Sequence, residues 1–118
     1  MRRTAIALGA IGLGALMASS PALASFDSRW SVTVTTEVGE CPSGPVGVRI
    51  EDNRIVATEV EGVTPWGYIE GDQVVARFNA GQDVMRAHGK LRGASGSGAW
   101  SSPNRYCGGR WSAQKQAD

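Results

Sequence analysis

Leucine is nearly missing from most of this 118-residue chain: four of its five leucines fall within Met1–Ala24, and only Leu91 follows. The remaining 94 residues instead hold 11 valines, 13 of the 16 glycines and all four tryptophans. That composition excludes a helical bundle and favours strands. Histidine occurs once, at His88, so any catalytic triad or histidine-ligated centre has a single candidate. Cysteine occurs twice, at Cys41 and Cys107, with 65 residues between them. Such a gap excludes a Cys-x-x-Cys redox pair and matches no recurrent zinc-ligand spacing. Charge of neither sign dominates, with 12 basic and 11 acidic residues; no nucleic-acid partner is expected. No apolar run reaches the ~20 residues needed to span a bilayer.

What is present begins with a leader. Arg2 and Arg3 precede an apolar run from Thr4 to Ala18, and Pro21-Ala22-Leu23-Ala24 places small residues at cleavage spacing. These are the three regions of a secretory signal peptide, expected over residues 1–24, with a single β domain over 25–118. The expected destination is the periplasm or the exterior. In such an oxidising compartment Cys41 and Cys107 are expected to form a disulfide, and with two cysteines only one pairing exists.

Beyond the leader, short alternating runs recur between turn residues, the pattern of an antiparallel meander. Strands are predicted at Arg29–Glu37, Val46–Glu51, Arg54–Glu61, Trp66–Glu70, Gln73–Asn79, Val84–Arg92, Gly98–Ser101 and Tyr106–Gln114. Turns are predicted at Asp52-Asn53, Gly71-Asp72 and Ala80-Gly81. The predicted fold is all-β: a small eight-stranded antiparallel meander, closing into a barrel or a two-layer sandwich, with one disulfide. Alternation assigns an apolar face to Trp30, Val32 and Val34, to Val46, Val48 and Ile50, to Val56, Thr58 and Val60, to Val74, Ala76 and Phe78, and to Met85, Ala87, Gly89 and Leu91. The wet face takes Arg77, Arg86, His88, Lys90 and Arg92, with Glu59 and Glu61 two apart on one strand. A small-x-Trp-Ser echo at Ser28–Ser31, Gly98–Ser101 and Gly109–Ser112 predicts tryptophans packed in the core, each small residue making room for a neighbouring ring.

Chemistry-bearing motifs are sparse. Gly93–Gly98 has the glycines of a phosphate loop or nucleophile elbow but no strand-to-helix transition, so a flexible hairpin loop is expected there. No catalytic residue, metal site or cofactor is assigned, and an enzyme is not expected. Two surfaces are candidates for binding. One is Trp66 with Tyr68, bracketed by Pro65 and Gly67, which forms either an exposed recognition tip or a plug in one end of the barrel. The other is the strand face of Arg86, His88, Lys90 and Arg92. Ser25–Asp72 carries three basic and nine acidic residues, whereas Gln73–Asp118 carries seven basic and two acidic. The basic strand would suit an acidic envelope polysaccharide, a lipid headgroup or an acidic protein. The plainer expectation is that the two halves neutralise one another across strands.

The run Gly89-x-Leu91-x-Gly93-x-x-Gly96-x-Gly98-x-Trp100, followed by Cys107-x-Gly109-x-Trp111-x-Ala113, resembles a group of small secreted proteobacterial proteins rich in glycine and tryptophan. Such proteins are loosely labelled with haem utilisation or adhesion. The resemblance implies a binding or adhesion role at the envelope and carries no site residue across. In a haem or small-ligand carrier using the barrel interior, His88 would be the candidate axial ligand. Trp30 on the first strand is similar to the opening of lipocalin-like and avidin-like barrels, with Ser28 in place of their glycine. The size and strand count are also similar to periplasmic inhibitors of secreted metalloproteases, which would act through a terminal segment.

Overall fold

The structure of the protein, a computed structural model, describes residues 26–117; the expected leader, Met1–Ala24, lies outside the described residues. Eight strands follow in order: β1 (Ser28–Val38), β2 (Gly44–Glu51), β3 (Arg54–Thr58), β4 (Thr64–Glu70), β5 (Gln73–Ala80), β6 (Asp83–Arg92), β7 (Ser95–Ser102) and β8 (Cys107–Lys115). Each pairs antiparallel with the next, and β8 returns to β1 to close a barrel. Closure leaves the apolar face buried against itself and removes both sheet edges, which a sandwich of these strands would leave open. The closing seam is long, running from Trp30↔Lys115 to Val38↔Gly108 with one irregularity after Thr36.

The hairpins follow from their turn residues. Asp52 and Asn53 both have positive φ, 54° and 60°, as a two-residue type I′ turn requires. Gly71, Gly81 and Gly93 each open a two-residue turn with φ near +60°. The β5–β6 turn is therefore Gly81-Gln82, one residue later than expected.

The strand pattern departs from the sequence expectation in two places. β3 ends at Thr58 rather than Glu61, and its register with β2 shifts between Arg49↔Ala57 and Ile50↔Ile55. This bulge inserts one residue and inverts the alternation. Ile55 is buried and Val56 is 46% exposed, the reverse of the predicted facing. Glu59 and Glu61 accordingly leave the strand: Glu59 sits in a bend with its carboxylate over Gly47, and Glu61 in a turn.

The second departure is Ser95–Gly98, expected as a flexible loop and found as the start of β7, paired with both β6 and β8. Its glycines are needed for packing. Trp111 is registered opposite Gly98, and Trp100 opposite Gly109. The Trp111 ring crosses Gly98 and Gly89 to donate Nε1–H to the His88 carbonyl at 3.2 Å. Trp100 reaches the other way, donating to the Thr35 carbonyl on β1 at 3.1 Å. Each indole thus lies across a strand made bare by glycine, with its polar N–H satisfied. The predicted exchange of space between small residues and neighbouring rings is what the core uses.

The Cys41–Cys107 disulfide joins the β1–β2 loop to the first residue of β8. Thr36 fastens the same loop, its hydroxyl donating to the Cys41 carbonyl at 2.8 Å and its N–H to Ser43 Oγ at 2.9 Å. The bridge is the chemistry of an oxidising compartment.

Candidate functional site

The two ends of the barrel are built differently. At one end Trp30 is 1% exposed and Leu91 2%, with Ile50 and Ile69 also buried beside them. The Phe26 ring stacks obliquely on Trp30, with centroids 6.3 Å apart, and its carbonyl accepts the Trp30 Nε1–H at 2.9 Å. Ser28, also buried, donates its hydroxyl to the Gln116 carbonyl at 2.6 Å. The segments flanking the first and last strands, at Phe26 and Gln116, are thereby drawn across this end, which is sealed.

The other end opens into a cavity of about 310 Å³. Its wall includes Val34, Val48, Ile55, Phe78, Met85 and Trp100, and it is almost wholly apolar. The space exists because bulk is missing where strands adjoin. Ala76 and Ala87 are registered neighbours on β5 and β6, both lining the cavity, and the next residue in that row, Trp100, sends its indole away toward β1. Eight strands enclose about enough room for either packed side chains or one small ligand; here the sealed half is filled by side chains and the open half is hollow.

Polar groups are confined to the rim. Arg105, in the one-turn 3₁₀ helix Pro103–Arg105, pairs with Asp83 at 3.1 Å, and both line the mouth beside Cys41, Pro42, Val60 and Val63. Asn104 ties the β5–β6 hairpin to the β7–β8 connection: its amide donates to the Gln82 carbonyl at 2.7 Å, and its Oδ1 accepts from Val84 N at 3.3 Å. The buried Ser102 hydroxyl adds a bond to the Val84 carbonyl at 3.0 Å. Tyr106, 84% exposed, holds a left-handed backbone at φ 56° immediately before Cys107. The rim is a set of connected loops, not a frayed edge. None of the rim residues except Cys41 is a candidate in the sequence, because a barrel mouth gathers residues from four loops that share no motif.

The sequence-derived candidates lie elsewhere, on the outside of the wall. Trp66 and Tyr68 are on β4, mid-strand and outward, so they form neither a loop tip nor a plug. Their rings meet edge to face at 5.8 Å, and the Arg77 guanidinium lies 5.3 Å from the Trp66 ring centre. Arg86, His88, Lys90 and Arg92 are on the outer face of β6, alternating with the inward Ala87 and Leu91. His88 therefore does not face the cavity, which removes it as an axial ligand for a group held inside. Val75 and Arg77 of β5 lie between the two candidate sets: Trp66 opposes Arg77, which opposes Arg86, and Tyr68 opposes Val75, which opposes His88. What read as two sites is one surface.

The expected neutralisation across strands does not occur on this face. Arg77 faces Trp66 and Arg86, Lys90 faces Gln73 and Ser97, and Arg92 faces Ser95. The acidic half of the chain sits mainly on other walls and in turns, and the two halves adjoin only at the β4–β5 and β1–β8 pairings.

A wider and more polar groove of about 430 Å³ runs outside β1–β3, lined by Arg29, Arg49, Ala57 and Glu59. Among the described residues no group of three or more His, Cys, Asp or Glu side chains is placed to hold a metal ion. Of the residues before Trp30, through which an inhibitor would act, Phe26–Arg29 pack on or beside the sealed end and the rest lie outside the described residues. Compared with protein-family models, curated proteins and solved structures, the chain matches none.

Proposed function

We propose that this is an exported, non-catalytic binding protein of the periplasm or cell exterior, whose ligand is a small, mainly apolar molecule held in the open half of the barrel. The observation that carries the reading is the one-ended cavity: apolar wall, sealed floor, and charged groups only at the mouth. Ligand sites typically enclose ~300–1,000 Å³ with a few polar groups that orient the ligand. This cavity lies at the small end of that range. A cavity of that size suits a short acyl chain or a single substituted ring. Asp83 and Arg105 would receive the ligand's polar end. A barrel interior otherwise wetted at its apolar wall gains from such an occupant roughly 25 cal/mol for each Å² of apolar surface removed from water.

The test is a titration of the oxidised domain with an apolar fluorophore, N-phenylnaphthylamine, followed by displacement with short-chain fatty acids and alcohols. Saturable binding with displacement is expected, and Ala87→Leu, which fills the cavity from β6, should weaken it severalfold while the protein stays folded. Absence of saturable binding, or binding indifferent to Ala87→Leu, would refute the reading.

A further inference from the structure

We infer that the outer face of β4–β6 is a docking surface for an anionic phospholipid bilayer. Three observations point to it, none involving the cavity. The first is apolar exposure: of seven large hydrophobic residues exposed among the described residues, Trp66, Tyr68 and Val75 are contiguous on this face, and Val56 is exposed on neighbouring β3. Isolated exposed hydrophobics are ordinary, whereas a contiguous set marks an interaction surface.

The second observation is unpaired positive charge. Arg77 and Arg86 are registered directly opposite each other, an arrangement that repels unless an anion lies between or above them. Lys90 and Arg92 extend the same face, and none of these four cations takes part in the ion pairs Arg49–Glu51 and Arg105–Asp83. Glu70 and Asp72 bound the face toward the sealed end of the barrel.

The third is the arrangement of the two chemistries. Tryptophan and tyrosine flanked by cations is the composition that settles at a membrane interface, with rings among the headgroups and charges against anionic phosphates. A sugar polymer would need an open aromatic platform. Trp66 offers none, because the Arg77 guanidinium lies over its ring and Tyr68 abuts it edge to face. The face is also built on three paired strands, so its cations are displayed at fixed spacing with little ordering left to be done on contact.

Trp66 supplies a built-in reporter. The other three tryptophans are buried, at 1%, 5% and 8% exposure, against 50% for Trp66. The oxidised protein is mixed with vesicles of phosphatidylcholine, or of phosphatidylcholine with phosphatidylglycerol, and followed by sedimentation and tryptophan emission. Binding is expected only to the phosphatidylglycerol vesicles, weakening with salt, with a blue shift and with quenching by lipids brominated near the headgroup. Replacing Arg86, Lys90 and Arg92 together by glutamine should weaken binding about a hundredfold, at about fivefold per cation. Trp66→Ser should abolish the blue shift and lower the affinity. All four positions are exposed on the outer wall, and unchanged melting checks that each variant is folded.

Equal binding to both vesicle types, no binding, or binding that leaves Trp66 emission unchanged would overturn the inference. So would equally tight binding to a soluble polyanion, dextran sulfate or polyglutamate, since that would assign the face to a polysaccharide or an acidic protein. The outcome is independent of ligand binding in the cavity, which Ala87→Leu tests separately.

Discussion

Removing the Cys41–Cys107 bridge should lower the melting temperature by about 20 °C without opening the barrel. The two cysteines are 66 positions apart, and their loop encloses β2 to β7, almost the whole domain. Cross-linking a loop of that length removes chain entropy from the unfolded ensemble worth roughly 4 kcal/mol. Unfolding a domain of this size carries an entropy of about 0.2 kcal/mol per kelvin, so the loss converts to about 20 °C. The native state loses less, because β1 and β8 remain hydrogen-bonded along their whole seam and Thr36 still holds the loop. The assay is calorimetric melting of the oxidised protein against a Cys41→Ser, Cys107→Ser double variant, with urea unfolding alongside. Because the unbridged chain expands further when unfolded, the slope of stability against urea should rise as the midpoint falls. A double variant melting within about 5 °C of the oxidised protein would refute the argument. So would loss of β structure in the variant, which would mean that the bridge holds the native barrel together rather than restraining its unfolded chain.

Two other substitutions test the packing. A Cβ at Gly98 would run into the His88 carbonyl and lie 2.7 Å from both Gly89 Cα and Trp111 Nε1, so Gly98→Ala should cost about 1–3 kcal/mol in urea unfolding; no loss would mean that β6 and the indole do not approach β7 as closely as this packing requires. Asn53 holds φ 60° in the β2–β3 turn, and Asn53→Val should cost about 1–2 kcal/mol because a β-branched residue resists that conformation. Unchanged stability at that position would refute the type I′ turn.

Much of the barrel is legible without a structure, and the reasons are local. Valine-rich alternation marks β1, β2 and β5 because each has one dry and one wet face along its length. Asp52-Asn53 and Gly71-Asp72 mark hairpins because few residues tolerate their backbone. Two cysteines admit one pairing. The misreadings have equally definite causes. Ser95–Gly98 has no side-chain alternation to read, since its inward positions are glycines that accommodate an indole from β8. Alternation points Val56 inward because a bulge leaves no local trace: it is a mismatch in length between β2 and β3, visible only once they are paired.

The candidate site shows the same division more sharply. Composition, alternation, turn chemistry and the cysteine pair are sufficient to specify a β domain with an apolar side, a wet side and one bridge, because each rests on neighbours along the chain. Closure into a barrel, the hollow beside Ala76 and Ala87, the rim assembled from Asp83, Asn104 and Arg105, and the merger of Trp66 and Tyr68 with the β6 cations all depend on which strands adjoin and in what register. Register is set by the simultaneous packing of all eight strands, so no single segment contains it.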